Sequence, residues 1–127
     1  MSIKGRISLF CSTLLLFLAI WMENSFSREE CPFAEIYANP LGKIGTMIAC
    51  EGRIEKVISV GFPIGLIMKT EGYAWYAEIY KMEGIKVGII KEGNLVRLEG
   101  QYISLKKVLY EGSLVDLPLI YVTKVGE

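Results

Sequence analysis

The chain has 127 residues, 52% of them apolar, with 14 basic and 14 acidic side chains and no histidine. The length fits a single domain, and the lack of histidine excludes Ser-His-Asp and Cys-His nucleophiles, histidine-bearing zinc sites and histidine-ligated haem. The balanced charge is not the basic excess of a nucleic-acid binder.

The first element is an amino-terminal export signal. Lys4 and Arg6 precede a run from Ile7 to Met22 broken only by Ser8, Ser12 and Thr13, and Asn24-Ser25-Phe26-Ser27 follows. Basic, apolar and small-residue regions in that order are those of a secretory signal peptide over residues 1–27, cleaved after Ser27. The rival reading is an uncleaved anchor, with residues 7–22 in a membrane and Trp21 at its interface. Either way the domain, residues 28–127, is expected outside the cytoplasm, in the periplasm or beyond the cell. Lys4, Arg6 and Glu23 belong to the signal, leaving 12 basic and 13 acidic residues and a formal charge of −1. Of the three cysteines, Cys11 lies in the apolar run. Cys31 and Cys50 remain as an even pair in a disulfide-permissive compartment, which favours one bond between them. The other reading makes Cys50 a small apolar residue of the core.

Residues 33–38, Phe-Ala-Glu-Ile-Tyr-Ala, suit one or two helical turns ended by Asn39-Pro40, because proline disfavours the α conformation in the residue before it. Asn39 to Val60 then reads as a long first strand. Ile44, Ile48, Cys50 and Ile54 share one parity, and Glu51, Arg53 and Glu55 the other, which is the period of a half-buried strand. Gly52 within it marks a bulge or a bend where another strand crosses closely. Gly61 to Gly65 is a turn by composition. Leu66 to Thr70 and Tyr73 to Lys81 read as the second and third strands, joined by a tight Glu71-Gly72 hairpin. Met82 to Gly93 breaks the pattern and reads as a loop, a short helix or a stray strand. Asn94 to Ile103 resumes as the fourth strand, Ser104 to Leu117 reads as a connection, and Pro118 to Val125 closes the set.

Five strands, the first long and bent at glycine, predict an all-β fold: a five-stranded, OB-fold-like Greek-key barrel after a signal peptide and a short helical turn. Asn39-Pro40, Gly42-Lys43, Ile48, Gly52-x-Ile54, Gly93-x-x-Val96-x-Leu98-x-Gly100-x-Tyr102 and Pro118-x-Ile120 together resemble the exported bacterial OB-fold modules related to anticodon-binding-type barrels. The resemblance runs from Ile36 to Val125. It implies fold and compartment, whereas the fold hosts many unrelated binding roles.

No catalytic, cofactor or metal site is expected, since Asp116 is the only aspartate and the glutamates are scattered singly. Arg53 and Arg97 read as cross-strand partners of Glu51, Glu55 and Glu99. If Trp75, Ala77 and Ile79 face the core, Tyr76 and Tyr80 stand outward on the second and third strands, the usual ligand face of this fold. Lys69 flanks that face, with Lys106 and Lys107 in the neighbouring connection. The expectation is therefore an exported, non-enzymatic binding module for a glycan, peptide or protein, with nucleic acid disfavoured by charge. The alternative is a structural or interaction domain at the envelope, pairing through exposed strand edges.

Overall fold

A computed structural model describes residues 28–81 and 87–126. The signal segment expected over residues 1–27 lies outside the described residues. In chain order the elements are β1 (Glu29–Glu30), α1 (Phe33–Ala38), β2 (Met47–Ser59), β3 (Ile64–Thr70), β4 (Tyr73–Ile79), a 3-10 turn (Val87–Ile89), β5 (Leu95–Tyr110) and β6 (Ser113–Gly126). β2 pairs antiparallel with both β3 and β5, and β3 pairs antiparallel with β4. β4 runs parallel to β6, which returns antiparallel to β5 and completes a ring of five hydrogen-bonded strands. Placing β6 between β4 and β5 gives the Greek-key order of an OB-fold-like barrel. The two residues of β1 add a parallel extension beside Ile48 and Ala49.

The strand alternation builds the core. Ile48, Cys50 and Ile54 point inward from β2 and join Leu66, Met68, Trp75, Ile79, Leu98, Tyr102, Ile120 and Val122 in one buried cluster. β2 serves both halves of the barrel, pairing with β5 from Met47 to Arg53 and with β3 from Arg53 to Ser59. Gly52 sits at that change of partner, where a Cβ would lie 2.8 Å from Thr70 Oγ1 and 3.3 Å from the Lys69 carbonyl. The close crossing expected there is present, and the bulges fall just beyond it, between Ile54 and Lys56 and between Val57 and Ser59.

A segment preceding the barrel completes its core. Phe33 and Ile36 of α1 are fully buried, and the Phe33 ring stacks on Trp75 with centroids 4.8 Å apart. Trp75 Nε1 donates to Thr70 Oγ1 at 3.1 Å, so the buried indole keeps a partner. Cys31 and Cys50 form the expected disulfide, with Cα atoms 4.7 Å apart, and tie α1 to β2. Between β4 and β5 the described residues hold the 3-10 turn, and Ile89 and Ile90 pack against the same core.

Three expectations are corrected. Asn39 to Thr46 is turn rather than strand: Asn39 Oδ1 accepts from the Gly42 amide at 3.2 Å, Gly45 has φ 95°, and β2 begins at Met47. Pro118 lies inside β6, opposite Leu105, and not at its start. It is accommodated because β6 pairs with β4 only from Leu119 onward, which leaves one edge without a demand for the missing N–H. Ser104 to Leu117 is not a loop. β5 and β6 remain paired out to Tyr110 and Ser113, forming a two-stranded arm that reverses at Glu111-Gly112 with φ 51° and 82°. The same positive-φ dipeptide turn occurs at Glu71-Gly72, with φ 48° and 86°.

Candidate functional site

The arm alters the face on which a ligand was expected. Trp75, Ala77 and Ile79 do point into the barrel, so Tyr76 leaves it on the outer side of β4, and Tyr80 stands just past the strand's end. Tyr80 is 41% exposed, but Tyr76 is only 5% exposed and does not stand free as expected. Val108 and Leu117 of the arm fold over it and over Ile67, forming a second buried cluster flanked by Ala74, Tyr110, Val115 and Leu119. Gly65 makes room beneath, since a Cβ there would lie 2.1 Å from the Tyr76 hydroxyl oxygen. Burial holds the Tyr76 hydroxyl above its ordinary pKa, against the opposing pull of the Lys106 charge. The middle of the β3–β4 outer face is thus occupied by the chain itself.

Beside the arm, where β4 meets β6, polar groups converge on Glu78. One carboxylate oxygen accepts from Lys106 Nζ at 3.1 Å, and the other accepts from the Tyr80 hydroxyl. The Lys106 ammonium also lies over the Tyr76 ring, 5.2 Å from its centroid. Glu78 faces Tyr121 across the parallel β4–β6 pair, and Tyr80 stacks on Tyr121 with centroids 4.7 Å apart and planes 16° from parallel. Tyr121 is 42% exposed, so the stack borders solvent next to Glu78, a residue 9% exposed. The hydrogen bond to Glu78 raises the pKa of the Tyr80 hydroxyl and keeps it a donor at neutral pH. Each carboxylate oxygen carries two lone pairs, and Tyr80 and Lys106 take one on each.

Of the five residues expected at a ligand site, Tyr76, Tyr80 and Lys106 are brought together around Glu78. Lys69 and Lys107 are placed elsewhere. Lys69 lies 3.9 Å from Glu55, which also accepts from the Tyr110 hydroxyl at 2.9 Å. Lys107 projects from the far side of the arm, opposite Asp116. Glu78 and Tyr121 were missed. Glu78 shares its parity with Tyr76 and Tyr80, and Tyr121 stands between the inward-facing Ile120 and Val122, so the alternation held the signal for both.

A concavity lies elsewhere, across the outer faces of β2, β3 and β5. It is an open cleft of about 700 Å³ whose charged lining is Glu30, Glu51, Arg53, Lys69, Glu71 and Arg97. Arg97 faces Glu51 in register, yet its guanidinium forks onto Glu30 at 2.6 and 2.7 Å, and this bond holds the Glu30 carboxyl below its usual range. Arg53 donates to the Gly93 carbonyl at 2.8 Å instead of meeting a glutamate. Three cations and three carboxylates cancel, so this cleft lacks the net positive field that gathers phosphates.

No family model and no curated protein matches the chain. Among solved structures, a protein assigned as an aspartyl-tRNA synthetase from Leishmania major Friedlin is similar with TM-score 0.58 and 16% identity over 80% of this chain and 21% of that one. Aspartyl tRNA synthetase from Entamoeba histolytica is similar with TM-score 0.48 and 19% identity, over 67% of this chain and 19% of that one. The likeness is one of fold. This chain spans about a fifth of the length of each of these proteins. The Leishmania match agrees with the OB-fold-like strand order, and the function of either synthetase does not carry over at such identity.

Proposed function

We propose that this chain is an exported, non-enzymatic binding module that holds a saccharide on the exposed face of the Tyr80–Tyr121 stack. The observation that carries the reading is that stack, open to solvent and adjoining the Glu78 carboxylate that Tyr80 and Lys106 hold in place. A sugar ring offers an apolar C–H face to an aromatic plane and hydroxyl donors at its rim to a fixed carboxylate. Glu78, Lys106 and Tyr121 on β4, β5 and β6, with Tyr80 just past the end of β4, supply both halves of that recognition. The disulfide supports an extracytoplasmic setting, since such bonds persist where the compartment is oxidising. The non-enzymatic reading rests on the sequence, which has no histidine and a single aspartate.

Calorimetric titration with short oligomers of hexoses and of N-acetylhexosamines tests this reading. Saturable binding to the wild type is expected, weakened at least about fivefold by either Tyr80→Ala or Tyr121→Ala, on the scale of the roughly 1–3 kcal/mol for a nucleobase stacked on an aromatic. Equal affinity for wild type and both variants removes the stack from the site.

A further inference from the structure

The arm has a second face, and it is not covered. Beyond the register shift between Tyr102 and Ser104, Lys106, Val108 and Tyr110 turn toward the barrel with Val115 and Leu117, while Leu105, Lys107, Leu109, Leu114 and Asp116 turn away and are all exposed. On that outward face Leu109 is directly opposite Leu114, at 59% and 68% exposure, and Lys107 is directly opposite Asp116. Among the described residues neither Lys107 nor Asp116 has an ion-pair partner within 4 Å, even in each other. The arm therefore presents two adjoining exposed leucines beside an opposite-charge pair that, among the described residues, is not closed into an ion pair.

We infer that the outward face of the arm is a self-association surface whose partner is a second copy of this chain, arm against arm about a two-fold axis parallel to the strands. The pattern itself selects this occupant. An axis in that direction lays β5 of one arm over β6 of the other, so Lys107 meets the partner subunit's Asp116 and Leu109 meets the partner subunit's Leu114, each contact occurring twice. A two-fold axis across the strands instead lays β5 over β5 and sets Lys107 against its own symmetry mate or against the partner subunit's Leu109, so the Lys107–Asp116 contact between copies is lost. Self-complementarity under one operator is what an isologous interface requires. This inference is independent of the saccharide reading, because the tyrosine stack lies on the barrel and shares no residue with the outward face.

The test is sedimentation equilibrium of the purified chain at submillimolar concentration, suited to a face smaller than the about 20–30 residues per side of a standard interface. The wild type is expected to dimerise. Lys107→Asp and Asp116→Lys, each alone, set like charges against each other across the dyad and should weaken association at least about tenfold. Mixing the two single variants in equal amounts should restore a dimer, because each then meets the opposite charges on the other. That rescue separates an interface from a damaged arm, since mixing cannot repair a folding defect within either chain. A wild type that stays monomeric overturns the inference, and so does a wild-type dimer that survives both single variants unchanged. Monomer that floats with phosphatidylcholine vesicles in a manner lost in Leu109→Ser/Leu114→Ser also overturns it, in favour of a lipid surface.

Discussion

Tyr110 shows how one side chain secures the arm. Its hydroxyl donates to Glu55 Oε2 while its ring adjoins the cluster around Val108, and burial first, then the carboxylate, pushes its pKa up to about 12. An unfolded tyrosine titrates near pH 10, so the stabilisation is complete below that pH and is lost as pH rises through the folded value. The arm is therefore expected to loosen between about pH 10 and pH 12. Absorbance titration of phenolate, with thermal melts at the two ends of that window, checks this. Tyr110→Phe should remove the latest-titrating phenol and flatten the stability loss across the window; an unchanged alkaline profile contradicts the assignment. At the same scale, legibility in the sequence was uneven. Parity placed Tyr76 and Tyr80 outside the barrel correctly, yet it could not show that Tyr76 is roofed by Val108 and Leu117, which are more than thirty positions later. Glu78 was passed over because a lone glutamate between aromatics has the pattern of a solvated residue, whereas both its oxygens are engaged by Tyr80 and Lys106.

Among the elements, α1 gains its place from two anchors rather than from helix propensity. Six residues are too few for a stable isolated helix. Phe33 against Trp75 and the bond from Cys31 to Cys50 hold it instead. With the cysteines 19 positions apart, Cys31→Ser is expected to cost about 3 kcal/mol, read as a lower urea midpoint. Reductant should shift the wild type by a similar amount and leave the variant unmoved; a wild type indifferent to reductant contradicts the bond's contribution. Strands β2 and β5 were readable within the barrel because their apolar side chains alternate into a single core, at Ile48, Cys50 and Ile54 and at Val96, Leu98 and Tyr102. The arm was not, because Leu105-Lys106-Lys107-Val108-Leu109 carries apolar residues on both of its faces, one packed on the barrel and one open. Alternation is erased where neither face is purely polar. The Glu111-Gly112 turn was the surviving clue, matching the Glu71-Gly72 turn that correctly marked the hairpin of β3 and β4.

For the whole molecule, one ring of five strands is used on three sides. The outer face of β4 and β6 carries the tyrosine stack, the arm turns a leucine-rich face outward, and a charge-balanced cleft spans β2, β3 and β5. The formal charge of −1 beyond residue 27 and the cancelled charges of the cleft argue against phosphate backbones as the natural ligand, although the fold is one that elsewhere carries such roles. The proposed saccharide site on the barrel is Glu78, Tyr80, Lys106 and Tyr121. Its most direct test is a nuclear magnetic resonance titration of the labelled chain with N-acetylhexosamine oligomers and, separately, with a single-stranded oligonucleotide at low and high salt. Saturable shifts centred on those four residues are expected with the saccharide, little changed by salt, and only weak shifts with the oligonucleotide. Tight, salt-steep binding of the oligonucleotide, with shifts centred on Arg53, Lys69 and Arg97 and none at Tyr80 or Tyr121, would contradict it.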